Sequence, residues 1–274
     1  MNKIQTGRNL PVATAIGLML ISLVIASLFI YKYVFVALAL TALLLAAHEI
    51  TTQWSKVKNV SASYLLLAIS ISAMTLMSVI YGINGLLISF VSAVFVNGLF
   101  SIVTRNKSSF GKIFGISVFI FSYLGIFGSL AMLMLRANDG ASRVFLFIAI
   151  TALSDTGGYL TGIFIGKHRI APNLSPKKSY EGLAGSIIFA SLFAGFVGPL
   201  FVDISLIQGL IIGTVLALSG TAGDLFESGM KRRLGIKDFS SLIPGHGGMF
   251  DRLDSLAPNA LMSFLLFGYF LGFN

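Results

Sequence analysis

The chain has 274 residues, of which 56% are hydrophobic and 11% charged, and it contains no cysteine. About a quarter of the residues in a soluble domain are charged, so this composition excludes an ordinary soluble globule, and the absence of cysteine excludes disulfides and thiolate metal sites. The formal net charge of +9 would suggest nucleic acid in a soluble protein; here it reads as the Lys and Arg bias of cytoplasmic loops, and no nucleic-acid partner is expected.

Apolar runs of about 18 residues or more recur from end to end, and backbone groups find no partner in lipid except within the chain. The expected fold class is therefore all-α: a polytopic integral membrane helix bundle with about nine transmembrane helices. Lys3 and Arg8 precede the first run in the manner of a signal peptide, but the run reaches about Ile30 without a small-residue cleavage site, and we read it as a retained span. In chain order the spans are Leu10–Ile30, Val34–Ile50, Tyr64–Ile80, Gly82–Ile102, Ile113–Leu135, Val144–Ile165, Gly182–Val202, Ile204–Ala222 and Leu256–Phe273.

Charge tests that count. With the N-terminus inside, the inner segments carry Lys3, Arg8, Lys56, Lys58, Arg105, Lys107, Lys112, Lys167, Arg169, Lys177, Lys178, Lys231, Arg232, Arg233, Lys237 and Arg252. The outer segments hold only Lys32, Arg136 and Arg143 out of 19 basic residues. A miscount by one span would scramble this bias, which places the N-terminus in the cytoplasm and the C-terminus outside. Residues 1–140 form an N-terminal set of five spans. Residues 141–274 form the chemically loaded half, with two long cytoplasmic loops, 166–181 and 223–255.

Eight of the 10 acidic residues fall between positions 155 and 254; one of these, Asp203, and the two outside, Glu49 and Asp139, sit near span ends where a solvated role suffices. Asp155 lies near the middle of the sixth span, where an ionised carboxylate costs about 2.5–3.5 kcal/mol. Gly158, Gly162 and Gly166 make a smooth helix face at spacing four, and Asp155 shares it, so it is expected to point into the bundle. If the eighth helix continues past Ala222, Asp224, Glu227, Ser228 and Lys231 share a face. The plain explanation of Glu227 with Lys231 is a surface ion pair, whereas Asp224 has no evident local partner.

In PGHGGMFDRLDS (residues 244–255), Gly245, Gly247 and Gly248 permit backbone that can approach a phosphate, and Asp251 and Asp254 open the last span. The other loop, GKHRIAPNLSPKKSYEG, carries four basic residues, and Pro172 and Pro176 disfavour helix, leaving it ordered some other way or mobile. Carboxylates, cations and glycine backbone thus gather at the inner membrane face. Mg²⁺ takes carboxylate oxygens and shares its remaining positions with substrate phosphates, and Lys and Arg neutralise phosphate charge. No Walker A or Rossmann motif is present.

Residues 228–254, SGMKRRLGIKDFSSLIPGHGGMFDRLD, resemble the signature of the phosphatidate cytidylyltransferases (CDP-diacylglycerol synthases). SDTGGYLTG and GKHRIAPNLSPKKSYEG are similar to the family upstream, with a mild departure at Ser179, where a Thr is expected. The resemblance covers about the last 45% of the chain. It implies transfer of the cytidylyl group of CTP to phosphatidate, giving CDP-diacylglycerol and pyrophosphate for phospholipid biosynthesis. It also implies Mg²⁺, with room for a monovalent cation such as K⁺, and a homodimer.

The expected site follows from matching this pattern. Asp224 and Asp251 are the first candidates for metal ligands, with Asp155 and Asp254 as supporting acids. Lys231, Arg232, Lys237, Arg252, Lys167 and Lys178 would bind phosphates, together with Ser179, Ser228, His246, Gly247 and Gly248. Membrane lipids surround the protein, and the expected location is the cell membrane (the cytoplasmic membrane if bacterial), with the active site facing the cytoplasm. Two alternatives are a CTP-dependent polyprenol or lipid kinase and, in a different class, a secondary transporter.

Overall fold

The computed structural model describes residue 19 and residues 22–104, 110–243 and 247–273. Most of the first expected span, and His246, lie outside the described residues. The helices are α1 (Lys32–Lys58), α2 (Tyr64–Val103), α3 (Phe110–Leu135, with a π-helical stretch at Phe121–Ile126), α4 (Gly140–Ile165), α5 (Tyr180–Val197), α6 (Leu206–Leu234) and α7 (Leu256–Leu271). Among the described residues, six of these are long and apolar enough to cross a bilayer, and α7 is a shorter apolar helix.

Helix α2 is doubled. Gly82 breaks it with φ 67° and ψ −146°, a conformation open essentially to glycine. Asn97 Nδ2 then donates to Ser70 Oγ at 3.0 Å, although the two are 27 residues apart; on a straight helix that separation would be about 40 Å. The expected spans Tyr64–Ile80 and Gly82–Ile102 are the two arms of this hairpin, joined with almost no loop.

Helices α4, α5 and α6 pack with their backbones nearly touching. A Cβ on Gly158 would stand 2.3 Å from Ser186 Oγ, and one on Gly213 would stand 2.3 Å from Ala190 O. Small residues at such contacts replace the hydrophobic drive that helices lack in lipid. The glycine face of α4 therefore meets α5.

The two long loops expected from the sequence are more ordered than loops. Within 166–181, Arg169–Ala171 (β1) and Ser175–Ser179 (β2) form an antiparallel hairpin with Arg169 opposite Ser179 and Ala171 opposite Ser175. Pro172 falls at the turn, so the prolines deny helix but permit this ribbon, the exception to an otherwise all-α fold. The second loop is shorter than expected. Residues 223–234 are the last turns of α6, which runs until Gly235 caps it in the left-handed region at φ 68°. Its good helix formers (Leu, Glu, Met, Lys, Arg) sustain it, and 29 residues make about 44 Å, longer than the roughly 30 Å hydrocarbon layer.

Candidate functional site

One end of the bundle collects four pieces: the middle of α4, strand β2, the last turns of α6 and the segment between α6 and α7. On α6, Asp224 and Glu227 stand one turn apart. Asp254, just before α7, comes beside them because Gly223 has no side chain: a Cβ there would lie 2.3 Å from the Asp254 carbonyl oxygen. Asp224, Glu227 and Asp254 each offer an oxygen within 4.8 Å of the others.

The cations are set around this triplet. Lys178 of β2 pairs with Asp224, and its Nζ also reaches Thr221 O at 3.5 Å. Lys231 lies between two acids, 2.8 Å from Glu227 Oε2 and 3.0 Å from Asp251 Oδ1. The Glu227 side chain is wholly buried, and apart from Lys231 no donor group among the described residues reaches its carboxylate. Asp155 accepts a hydrogen bond from Ser255 Oγ at 3.1 Å. The neighbourhood thus holds Asp155, Asp224, Glu227, Asp251 and Asp254 against Lys178, Lys231 and Arg252.

Burial pushes the Asp254 carboxyl up to about 7, and the charges of Asp224 and Asp155 add to it against the pull of the Ser255 amide and Arg252. Asp251 goes the other way. Burial opposes its charge, but a hydrogen bond with Glu227, the Gly248 amide and Lys231 outweigh it and hold the carboxyl below the usual range.

The triplet fits a hard divalent cation. Three carboxylates converge, one of them buried with its Oε1 unsolvated by any donor, and burial together with the charge of Asp224 raises Asp254 in a way that a cation would relieve. Asp251, expected as a first ligand, is outside the triplet. Its Oδ2 accepts the amides of Phe239 at 3.0 Å and Gly248 at 2.8 Å, and its Oδ1 is taken by Lys231. It organises the segment and meets the triplet through Lys231 and a hydrogen bond with Glu227.

Asp155 turns inward as expected, toward Ser255 at the start of α7, but it meets an open recess there and is exposed. The glycines turn the neighbouring face of α4 onto α5 and leave Asp155, about 60° round the helix from Gly158, facing Ser255.

The remaining expected residues divide into those committed to the fold and those left half-buried or exposed. Ser179 is buried as the N-cap of α5, its Oγ accepting the Gly182 amide at 3.1 Å. Arg232 Nε donates to Leu174 O at 3.2 Å and so ties the hairpin to α6. Gly247 has φ 85°, and the Gly248 amide is given to Asp251. Ser228 is half-buried, and Lys167, Lys237 and Arg252 are exposed.

Two acids carry more than their sequence positions indicated. Glu227 read as half of a surface pair; its spacing from Asp224 was visible, but its burial was not. Glu49 read as solvated. It is 5% exposed and accepts Ser240 Oγ at 2.6 Å and the amides of Met249 and Phe250 at 2.8 Å each. Nothing local to Glu49 signals this, because its partners lie some 200 residues away.

Comparison with known proteins bears on this arrangement. A family model described as the cytidylyltransferase family matches residues 11–270. A phosphatidate cytidylyltransferase of Mycobacterium leprae is 32% identical over 284 residues, covering 97% of this chain and 89% of that protein. One from Mycobacterium tuberculosis (strain ATCC 25618 / H37Rv) is 31% identical over 278 residues, covering 96% and 83%. One from Staphylococcus saprophyticus is 37% identical over 158 residues, covering 57% and 59%.

Proposed function

The chain belongs to the cytidylyltransferase family, and from that premise we propose that it transfers the cytidylyl group of CTP to phosphatidate, giving CDP-diacylglycerol and pyrophosphate. The observation that carries the reading is the convergence of Asp224, Glu227 and Asp254, flanked by Lys178 and Lys231, at one end of a membrane bundle. Two anionic substrates repel each other, and such a transfer needs positioning and charge stabilisation more than covalent help from the protein.

In this mechanism an oxygen of the phosphatidate phosphate attacks the α-phosphorus of CTP in line, and the bond to the β-phosphate bridging oxygen breaks to release pyrophosphate. The attacking phosphate is already ionised, so no side chain is asked to be a strong general base. Lys178 and Arg252 lower the charge around the reacting phosphates, and Lys231 keeps Glu227 and Asp251 in place. Exposed Lys167 and Lys237, with Arg232, stand at the rim where a triphosphate would enter; Ser179 and the Gly248 amide act through the fold. The triplet would hold Mg²⁺, which supplies Lewis-acid neutralisation of phosphate oxygens. K⁺ beside it, and the homodimer, rest on the resemblance alone.

The nine-span count is supported by the doubled α2, and a cytoplasmic site by the basic residues that cluster at this end. The test is pyrophosphate release from CTP by the purified chain in detergent micelles containing phosphatidate. A polyprenol acceptor with CDP as product would mark a lipid kinase. Absence of both reactions, with transport in vesicles, would mark a transporter.

A further inference from the structure

A second cluster of cations lies far from the acidic recess. Lys32 opens α1, and Arg136 follows the last turn of α3. Together with Val36, Val79, Met132 and Leu135 they line a cavity of about 270 Å³. Glu49, which braces the recess, is about 25 Å further along α1, so the two features sit at opposite ends of the bundle. Of the three basic residues expected on the outer side, two therefore converge on one cavity.

Neither cation has an acidic partner. All 10 acidic residues are described, and none lies within ion-pair distance of Lys32 or Arg136, while Asp139, the acid closest in sequence to Arg136, is taken by Arg143 at 2.7 Å. Arg136 spends one nitrogen on Val79 O at 2.6 Å and keeps the rest of its fork beside Gly82. Among the described residues, Lys32 Nζ has only the Tyr33 ring, 5.9 Å away. Exposed Ile80 and Tyr33 continue the lining onto the outer, apolar surface of the bundle.

Two uncompensated cations over an aliphatic cavity that opens sideways match a phosphate group attached to an acyl chain. We infer that this cavity binds the head group of an anionic glycerophospholipid, at a site separate from the acidic recess and independent of the reaction proposed for it. The phosphate lies between Lys32 and Arg136, and the aliphatic walls take the glycerol and the upper acyl chain.

The experiment uses the full chain in neutral detergent, with bound phospholipid counted by native mass spectrometry. Dioleoylphosphatidylglycerol should bind at least about tenfold more tightly than dioleoylphosphatidylcholine, a difference of about 1.4 kcal/mol. Lys32→Gln should remove most of that preference while pyrophosphate release from CTP is unchanged. It is the primary variant because Arg136 also holds the α2 turn. Equal binding of the two lipids, or an undiminished preference in Lys32→Gln, overturns the inference. Displacement of phosphatidylglycerol by an equal concentration of inorganic phosphate would make the ligand a free anion and overturn the lipid assignment.

Discussion

Glu49 Oε2 accepts the Phe250 amide at 2.8 Å across a sequence separation of 201 residues. That bond, with those from Met249 and Ser240, fastens the segment carrying Asp251 and Asp254 to the end of α1. Gln53, one turn later, adds a bond from its Nε2 to Phe239 O at 2.6 Å. The N-terminal half, which carries none of the expected catalytic residues, thus holds the segment with Asp251 and Asp254 in place.

Glu49→Ala is expected to leave the buried Phe250 amide and the part-buried Met249 amide without acceptors, the first at about 1–3 kcal/mol. Thermal unfolding should move to lower temperature, and turnover should fall at least tenfold although Glu49 touches no substrate. Retained turnover with an unshifted transition would remove Glu49 from this role.

Asp224→Asn, Glu227→Gln and Asp254→Asn should each abolish turnover and also remove the Mg²⁺-dependent rise in melting temperature. The second readout separates loss of a ligand from loss of substrate contacts. A variant that keeps the Mg²⁺ shift does not supply a ligand.

Asp251→Asn should differ in kind. Its Oδ2 holds the Phe239 and Gly248 amides, so hydrogen exchange at those two amides should accelerate, while Asp224→Asn leaves them protected. Equal protection in both variants would return Asp251 to the list of direct ligands.

The Asp254 carboxyl, raised from 3.8 to about 7, gives a pH dependence of defined sign. Without divalent cation its folded value exceeds its unfolded one, so this group's contribution to stability is greatest below about pH 4 and falls as pH rises toward 7. Mg²⁺ needs the ionised form. Its apparent affinity should therefore rise with pH up to about 7 and level off, and Asp254→Asn should flatten that rise.

Gly223→Ala should disturb the site without touching a charge. Its Cβ would meet Asp254 O at 2.3 Å and Pro258 Cγ at 2.5 Å, which forces α7 away from α6 and carries Asp254 out of the triplet. Turnover and the Mg²⁺ shift should drop together, whereas Gly229→Ala, whose Cβ meets only Leu174 at 4.0 Å, should leave both near their normal values.

Much was legible from residue order alone. Hydropathy marked the apolar helices, because lipid rewards long unbroken apolar runs wherever they occur. The signature in residues 228–254, and the i, i+3 spacing of Asp224 and Glu227, are local patterns that a one-dimensional reading can register. Burial and long-range partnership are not local. Whether Glu227 is a solvated ion pair or a buried ligand depends on what packs over it, and Glu49 finds its donors only when α1 meets a segment 200 residues later. Asp251 and Asp254 look alike in sequence, three residues apart. Only the tertiary structure gives one to the backbone amides of its own loop and the other to the carboxylates of α6, since hydrogen-bond donors and the cost of burying charge are distributed in space and not along the chain.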